Sequence, residues 1–125
     1  MENADYDRLM RANIVRVFGE RDVAKRMTAI SELYADDAAV YEPDHEAIGA
    51  EAISATVSNL LTTLPKEFVF SPIGPATGHH DVARLRWRAG IPDGPAAASG
   101  TDVAHFRAGR IQSLYVFLDP TVSKD

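Results

Sequence analysis

The sequence predicts a single α+β domain over residues 1–125, with its helices packed on one face of an antiparallel sheet. Three observations lead there. Apolar residues recur at three- and four-residue steps through the first half of the chain; from Glu67 onward, short apolar runs are separated by Gly and Pro; and 125 residues, 46% of them apolar and 25% charged, supply one core without room for a second. A chain of this length buries roughly two thirds of its surface on folding, so the core needs no covalent staples. Helices followed by strands, rather than alternating with them, are the α+β order.

Tyr6, Leu9, Met10, Asn13 and Val17 form one stripe on a helix over about residues 5 to 18, which Gly19 ends. Asp22 suits the N-cap of a second helix whose inner face is Val23, Met27, Ile30, Leu33 and Tyr34. The two read as a helix hairpin. Ala38 to Glu42 then alternates as a strand until Pro43 stops it, and after a short loop Gly49 opens a third helix. Ile53, Val57, Leu60, Leu61 and Leu64 make its stripe the most regular in the chain, and Pro65 closes it. Four strands follow: Phe68 to Ile73, Val82 to Ala89, Thr101 to Arg107 and Arg110 to Asp119. A tight Ala108-Gly109 turn joins the last two, and a longer Pro- and Ala-rich loop spans Gly90 to Gly100.

Composition removes several functions. With no cysteine there is no disulfide, thiolate zinc site, iron–sulfur cluster or cysteine nucleophile. A formal charge of −5 lacks the basic footprint of a nucleic-acid partner. No apolar run approaches the roughly 20 residues that span a bilayer, and the acidic MENADYDR start is unlike a signal peptide, so a cytoplasmic protein with no membrane partner is expected.

Strand alternation assigns side chains to faces. Ala83, Leu85, Trp87 and Ala89 look inward and Arg84, Arg86 and Arg88 outward; Leu114, Val116 and Leu118 share one face, opposite Ser113, Tyr115 and Phe117. The outer pair Tyr115 and Phe117, beside an arginine row, suggests a homodimer surface. Asp102 shares a face with Ala104 and Phe106. If that face is inward, the carboxyl enters an apolar interior, where it must find donors or hold its proton; otherwise it caps a strand end in water. Glu42, on the Val40 face of its strand, offers the same two alternatives. Two carboxyls directed into one apolar interior would have their pKa values pushed apart, the arrangement that assigns acid and base roles.

The run Leu33-Tyr34-Ala35-Asp36-Asp37-Ala38-Ala39-Val40, then Glu42-Pro43, the Gly49-led helix with Ala52-Ile53, Thr101-Asp102-Val103, Phe106 and Gly109-Arg110-Ile111-Gln112 resembles the SnoaL-like and ketosteroid-isomerase-like branch of the nuclear transport factor two-like superfamily. The resemblance covers nearly the whole chain in order. It implies a cone in which three N-terminal helices close over a strongly curved antiparallel sheet and leave a deep pocket. It also implies that Glu42 stands where ketosteroid isomerases carry their general-base carboxylate, and Asp102 where a protonated aspartic acid donates to the developing oxyanion, a known case of a carboxylic acid kept neutral by an apolar site. The family's oxyanion tyrosine on the first helix has no counterpart, because Ile14 and Phe18 stand nearest to it and neither can donate. Asn13 is the polar residue on that face.

The expectation is therefore a pocket for a small hydrophobic organic molecule, with proton transfer on a carbonyl-containing or polycyclic ligand as its chemistry. Glu42 and Asp102 would be catalytic, needing no metal or organic cofactor. Trp87, Leu85, Phe106, Leu114, Val116 and Leu118 would form the wall, with Asn13, Ile14, Phe18 and Val57 contributed by helices. The alternative of another class is a non-catalytic ligand-binding or dimeric association module. His45-Glu46-Ala47-Ile48-Gly49 opens like a zincin motif but carries Gly where the second His must lie, and His79-His80-Asp81 falls in an expected turn.

Overall fold

The computed structural model describes residues 1–120. Its elements are α1 (Asn3–Ala12) continued by a π-helical segment (Asn13–Phe18), α2 (Val23–Leu33), β1 (Tyr34–Glu42), β2 (His45–Ile48), α3 (Ala50–Thr62), β3 (Val69–His79), β4 (Val82–Gly90), β5 (Ala96–Arg107) and β6 (Arg110–Leu118). The six strands form one curved, unclosed sheet in the order β2-β1-β6-β5-β4-β3. No helix of the described residues is long and apolar enough to cross a membrane.

The expected α+β architecture is present, with one correction to the sheet. It is mixed rather than wholly antiparallel, because β6 returns from the β5 hairpin to lie parallel to β1, pairing Val40 with Leu114 and Tyr41 with Tyr115. Register breaks between Ile73 and Thr77 in β3 and between His105 and Phe106 in β5 interrupt the ladders. Such breaks bend and twist strands, which is how a sheet curls around a core. The Ala108-Gly109 turn has φ of 52° and 79°, the left-handed pair of a tight hairpin.

Several boundaries move. His45–Ile48, expected to be loop, is a short edge strand on β1; only Ala47 of it is buried, so it shows no apolar alternation. β1 begins at Tyr34 rather than Ala38, β3 continues to His79, and β5 starts at Ala96, which shortens the Gly90-to-Gly100 loop to residues 91–95. The single helix expected over residues 5 to 18 changes type at Asn13, where the Gly19 N–H reaches back five residues to the Ile14 carbonyl at 2.9 Å. That wider turn buries Asn13, Ile14, Val17 and Phe18 together.

Side chains of α1 cover the β3 edge, where an open row of backbone groups would otherwise invite another chain. Asp7 Oδ1 accepts from the Ala76 N–H at 2.7 Å, and Asn3 both donates to the Ala76 carbonyl and accepts from the Gly78 N–H.

The inner face of α2 also differs from the expected stripe. Val23 is 53% exposed, while Arg26 is fully buried beside Ala29, Ile30 and Leu33. The guanidinium is tolerated because its donors are used: Nε donates to Ser54 Oγ at 3.0 Å, Nη1 to the Glu20 carbonyl at 2.7 Å and Nη2 to Ser58 Oγ. Burial lowers its pKa while the carboxylates of Glu20 and Asp22 hold the cation. One planar fork thus ties α2, α3 and the link after the π segment, the elements that roof the sheet. Arg26→Met, which keeps the stem and strands those acceptors, is expected to cost about 1–3 kcal/mol in chemical denaturation, with Arg26→Lys recovering only part of the loss.

Candidate functional site

Glu42 ends β1, Asp102 lies within β5, and β6 runs between them. Asp102 is paired with Val116 and Tyr41 with Tyr115, so Glu42 stands one residue beyond that second pair. Glu42, Val116 and Asp102 therefore form a row across three adjacent strands. Two strand spacings put the Cα atoms of the acids roughly 10 Å apart.

Both carboxyl groups line one cavity of about 260 Å³. Ile14 and Phe18 of the π segment close one side; Leu60, Leu64 and Phe68, in and after α3, close another. The sheet supplies Phe70, Trp87, Ala89, Ala97, Ala98, Val116 and Leu118. Among the described residues, Glu42 and Asp102 are the only ionisable groups in this wall, and every other lining side chain is apolar apart from the indole N–H of Trp87.

Asp102 is 3% exposed, which answers the alternation question in favour of the interior. Its Oδ1 accepts from Trp87 Nε1–H at 2.9 Å. The approach depends on Gly100, the residue opposite Trp87 in the β4–β5 ladder: a Cβ there would fall 2.6 Å from the indole Cζ2 and 2.3 Å from the Phe117 carbonyl oxygen. Phe70 packs at a tilt on the indole, at 5.8 Å between ring centroids. Burial pushes the Asp102 carboxyl up to about 7; the Trp87 hydrogen bond opposes that rise and the charge of Glu42 adds to it. Glu42 is half-buried and its pKa is raised by burial, with His45 pulling it down and Asp44 pushing it up. His45 is the hairpin partner of Glu42 and is fixed to α3 by a contact of 3.0 Å between Nε2 and Thr56 Oγ1.

Of the residues expected in the site, Ile14, Phe18, Trp87, Val116, Leu118, Glu42 and Asp102 meet at the cavity, Leu118 at its mouth with 55% exposure. Val57, Leu85, Phe106 and Leu114 are inward as expected but lie outside the cavity wall. They belong to the solid core, where Tyr6 of α1 meets Phe106 edge to face at 5.5 Å. Asn13 is also outside the wall and fully buried: Tyr34 Oη donates to its Oδ1 at 2.5 Å, and its Nδ2 has no partner among the described residues. Tyr34 was read only as helix stripe. Burial, the nearby Asp102 charge and, in opposition, the Asn13 contact leave its phenol well above its ordinary pKa, so it stays protonated. Leu60 and Leu64 were legible as helix stripe but not as cavity wall, and Phe68, Phe70, Ala89, Ala97 and Ala98 carried no signal beyond being apolar near strand ends. His79 and His80 share a contact of 2.8 Å between their Nδ1 atoms at the β3–β4 turn, away from this cavity.

The sequence model of the SnoaL-like domain matches residues 12–114, most of the chain and both carboxyls. The chain belongs to the SnoaL-like family. No curated protein matches it. Among solved structures, a candidate isomerase of the SnoaL-like family from Agrobacterium tumefaciens is 25% identical and superposes with a TM-score of 0.85, covering 94% of this chain and 99% of that one. A candidate ketosteroid isomerase from Kribbella flavida (11% identity, TM-score 0.72, 98% and 84% covered) shares the fold, as does a candidate polyketide cyclase from Sinorhizobium meliloti (21%, 0.67, 93% and 99%).

In this SnoaL-like chain the Asp102 carboxyl titrates near 7 when folded, against an ordinary 3.8. The folded state therefore binds the proton more tightly, and stability falls as pH rises from about 4 through about 7. Asp102→Asn, which still offers Trp87 an acceptor but cannot ionise, is expected to melt above the wild type at pH 8, with the gap closing toward pH 4. Melting curves across that range check it; a pH-independent difference between the two proteins would show that Asp102 ionises at no cost.

Proposed function

We propose that this SnoaL-like protein binds a small hydrophobic carbonyl compound and catalyses proton transfer next to the carbonyl. The observation that carries the reading is the meeting of two carboxyls of unequal burial in one apolar cavity. Glu42, nearer the mouth, ionises first and removes a proton from the carbon beside the carbonyl. The electron pair of that C–H bond moves into the carbonyl, and the oxygen that gains charge is met by the O–H of protonated Asp102, a donor that needs no rearrangement at the moment of reaction. Glu42 then returns its proton to carbon, at the same or a conjugated position, so neither metal nor organic cofactor enters the balance. Trp87 supports the scheme by holding one Asp102 oxygen, which leaves the other for the substrate. The names carried by the Agrobacterium and Kribbella proteins, both candidate isomerases, point the same way.

Deuterium exchange of the acidic C–H of 2-tetralone, followed by NMR in heavy water, tests it. Exchange is expected to rise with pH through the raised pKa of Glu42 and to fall beyond about 7 as Asp102 loses its proton. Glu42→Gln should lower the rate by about 100-fold or more and Asp102→Asn by about 10- to 100-fold. Exchange that survives both substitutions would sink the mechanism, and a wild type that binds without exchanging would leave the non-catalytic binding module as the function.

A further inference from the structure

We infer that the ligand of this cavity is a neutral carbonyl compound of one or two rings, and that neither a four-ring polycycle nor an anion of the same size is its substrate. The orientation of the carbonyl rests on the proton-transfer reading above; the size and charge limits rest on the cavity alone.

Size comes first. An apolar cavity of roughly 150 Å³ takes up benzene, with its six carbons, so one of about 260 Å³ holds roughly ten to twelve non-hydrogen atoms. That is a fused pair of rings with a carbonyl; a steroid skeleton has about seventeen ring carbons, and sites for molecules of that size usually begin at about 300 Å³. The cavity cannot deepen cheaply. The inward positions next along the strands, Leu85 and Leu114, are fully buried in packed core together with Val57 of α3. A third ring would remain at the mouth, near Leu118, and gain little burial.

Charge is limited by the wall. Among the described residues no Lys, Arg or His lines the cavity, so an anion would lose its water and meet only apolar groups and the Glu42 carboxylate. The deeper polar group is the Asp102 carboxyl, which when protonated is an O–H donor that calls for an acceptor. A carbonyl oxygen meets that requirement without bringing a charge.

Trp87 is the single tryptophan of the chain and lines the cavity, so its fluorescence reports occupancy directly. Titrations at pH 6 with cyclohexanone, 2-tetralone and androst-4-ene-3,17-dione test size; 2-naphthoate tests charge. The 2-tetralone affinity is expected to exceed that of cyclohexanone by roughly 10-fold or more and not to be exceeded by the four-ring ketone, because burial stops growing after the second ring. The anion should bind about 10-fold or more weaker than 2-tetralone. Leu60→Ala, which trims a partly buried side chain from the wall, should raise the affinity of the four-ring ketone relative to 2-tetralone. A four-ring ketone or anion that outbinds 2-tetralone on the wild type overturns the inference, as does failure of all four to change the fluorescence. Selective binding without deuterium exchange supports the inference while ending the catalytic reading; exchange of the four-ring ketone in preference to 2-tetralone does the reverse.

Discussion

The Trp87 indole packs against Gly100, its N–H reaches one oxygen of Asp102, and the rest of that carboxyl is left among apolar side chains. A carboxylate in that position would forfeit its hydration for a single neutral donor, so the proton is retained to about neutral pH. The other features of the site follow. The deep end of the cavity becomes a hydrogen-bond donor rather than a charge. Glu42, closer to water and with His45 beside it, is left as the group that ionises first. In the proposed mechanism two acids of the same chemistry thus take different roles chiefly through unequal burial, and the apolar wall around them limits which ligands can enter.

The fold makes this arrangement by bringing β6 back alongside β1. Without that parallel pairing Glu42 and Asp102 would sit on strands that do not share a neighbour; with it, Val116 alone separates them on the inner face. The helical roof is held by a different device. Arg26, buried on α2, binds two serines of α3 and the carbonyl of Glu20, which ties α3 to the link after the π segment, the two elements that bring Leu60 and Phe18 to the cavity wall. The wider π turn is what lets Ile14 and Phe18 face the cavity while Asn13 and Val17 remain buried in the same stretch.

Much of this was legible in the residues because it rests on periodicity. The α3 stripe and the inward face of β4 follow from spacing; spacing put Asp102 on the Phe106 face but left open whether that face is inward, which its burial decides, and the resemblance across Leu33 to Pro43, the Gly49-led helix and Thr101 to Gln112 supplied the family. What escaped was whatever periodicity does not encode. β2 has one buried residue and pairs by backbone alone. Arg26 is a cation on an inner face, made tolerable by serines 28 and 32 residues away together with the Glu20 carbonyl. The depth of the cavity was overstated for a related reason: alternation shows that Leu85, Phe106 and Leu114 point inward, but only the helices packed above them decide whether inward means cavity wall or solid core. Tyr34 was misplaced because the end of α2 and the start of β1 meet at that residue, where helical and strand spacing cannot be told apart.

The most direct test of the account is the protonation state of Asp102 itself. A difference infrared spectrum between wild type and Asp102→Asn, recorded from pH 4 to pH 9, isolates the carbonyl stretch of its protonated carboxyl. The band should be present at pH 5 and disappear with a midpoint near 7. A band already lost by about pH 4.5, the range of an ordinary carboxyl, would mean that Asp102 is ionised at neutral pH and that the division of labour between the two acids does not exist.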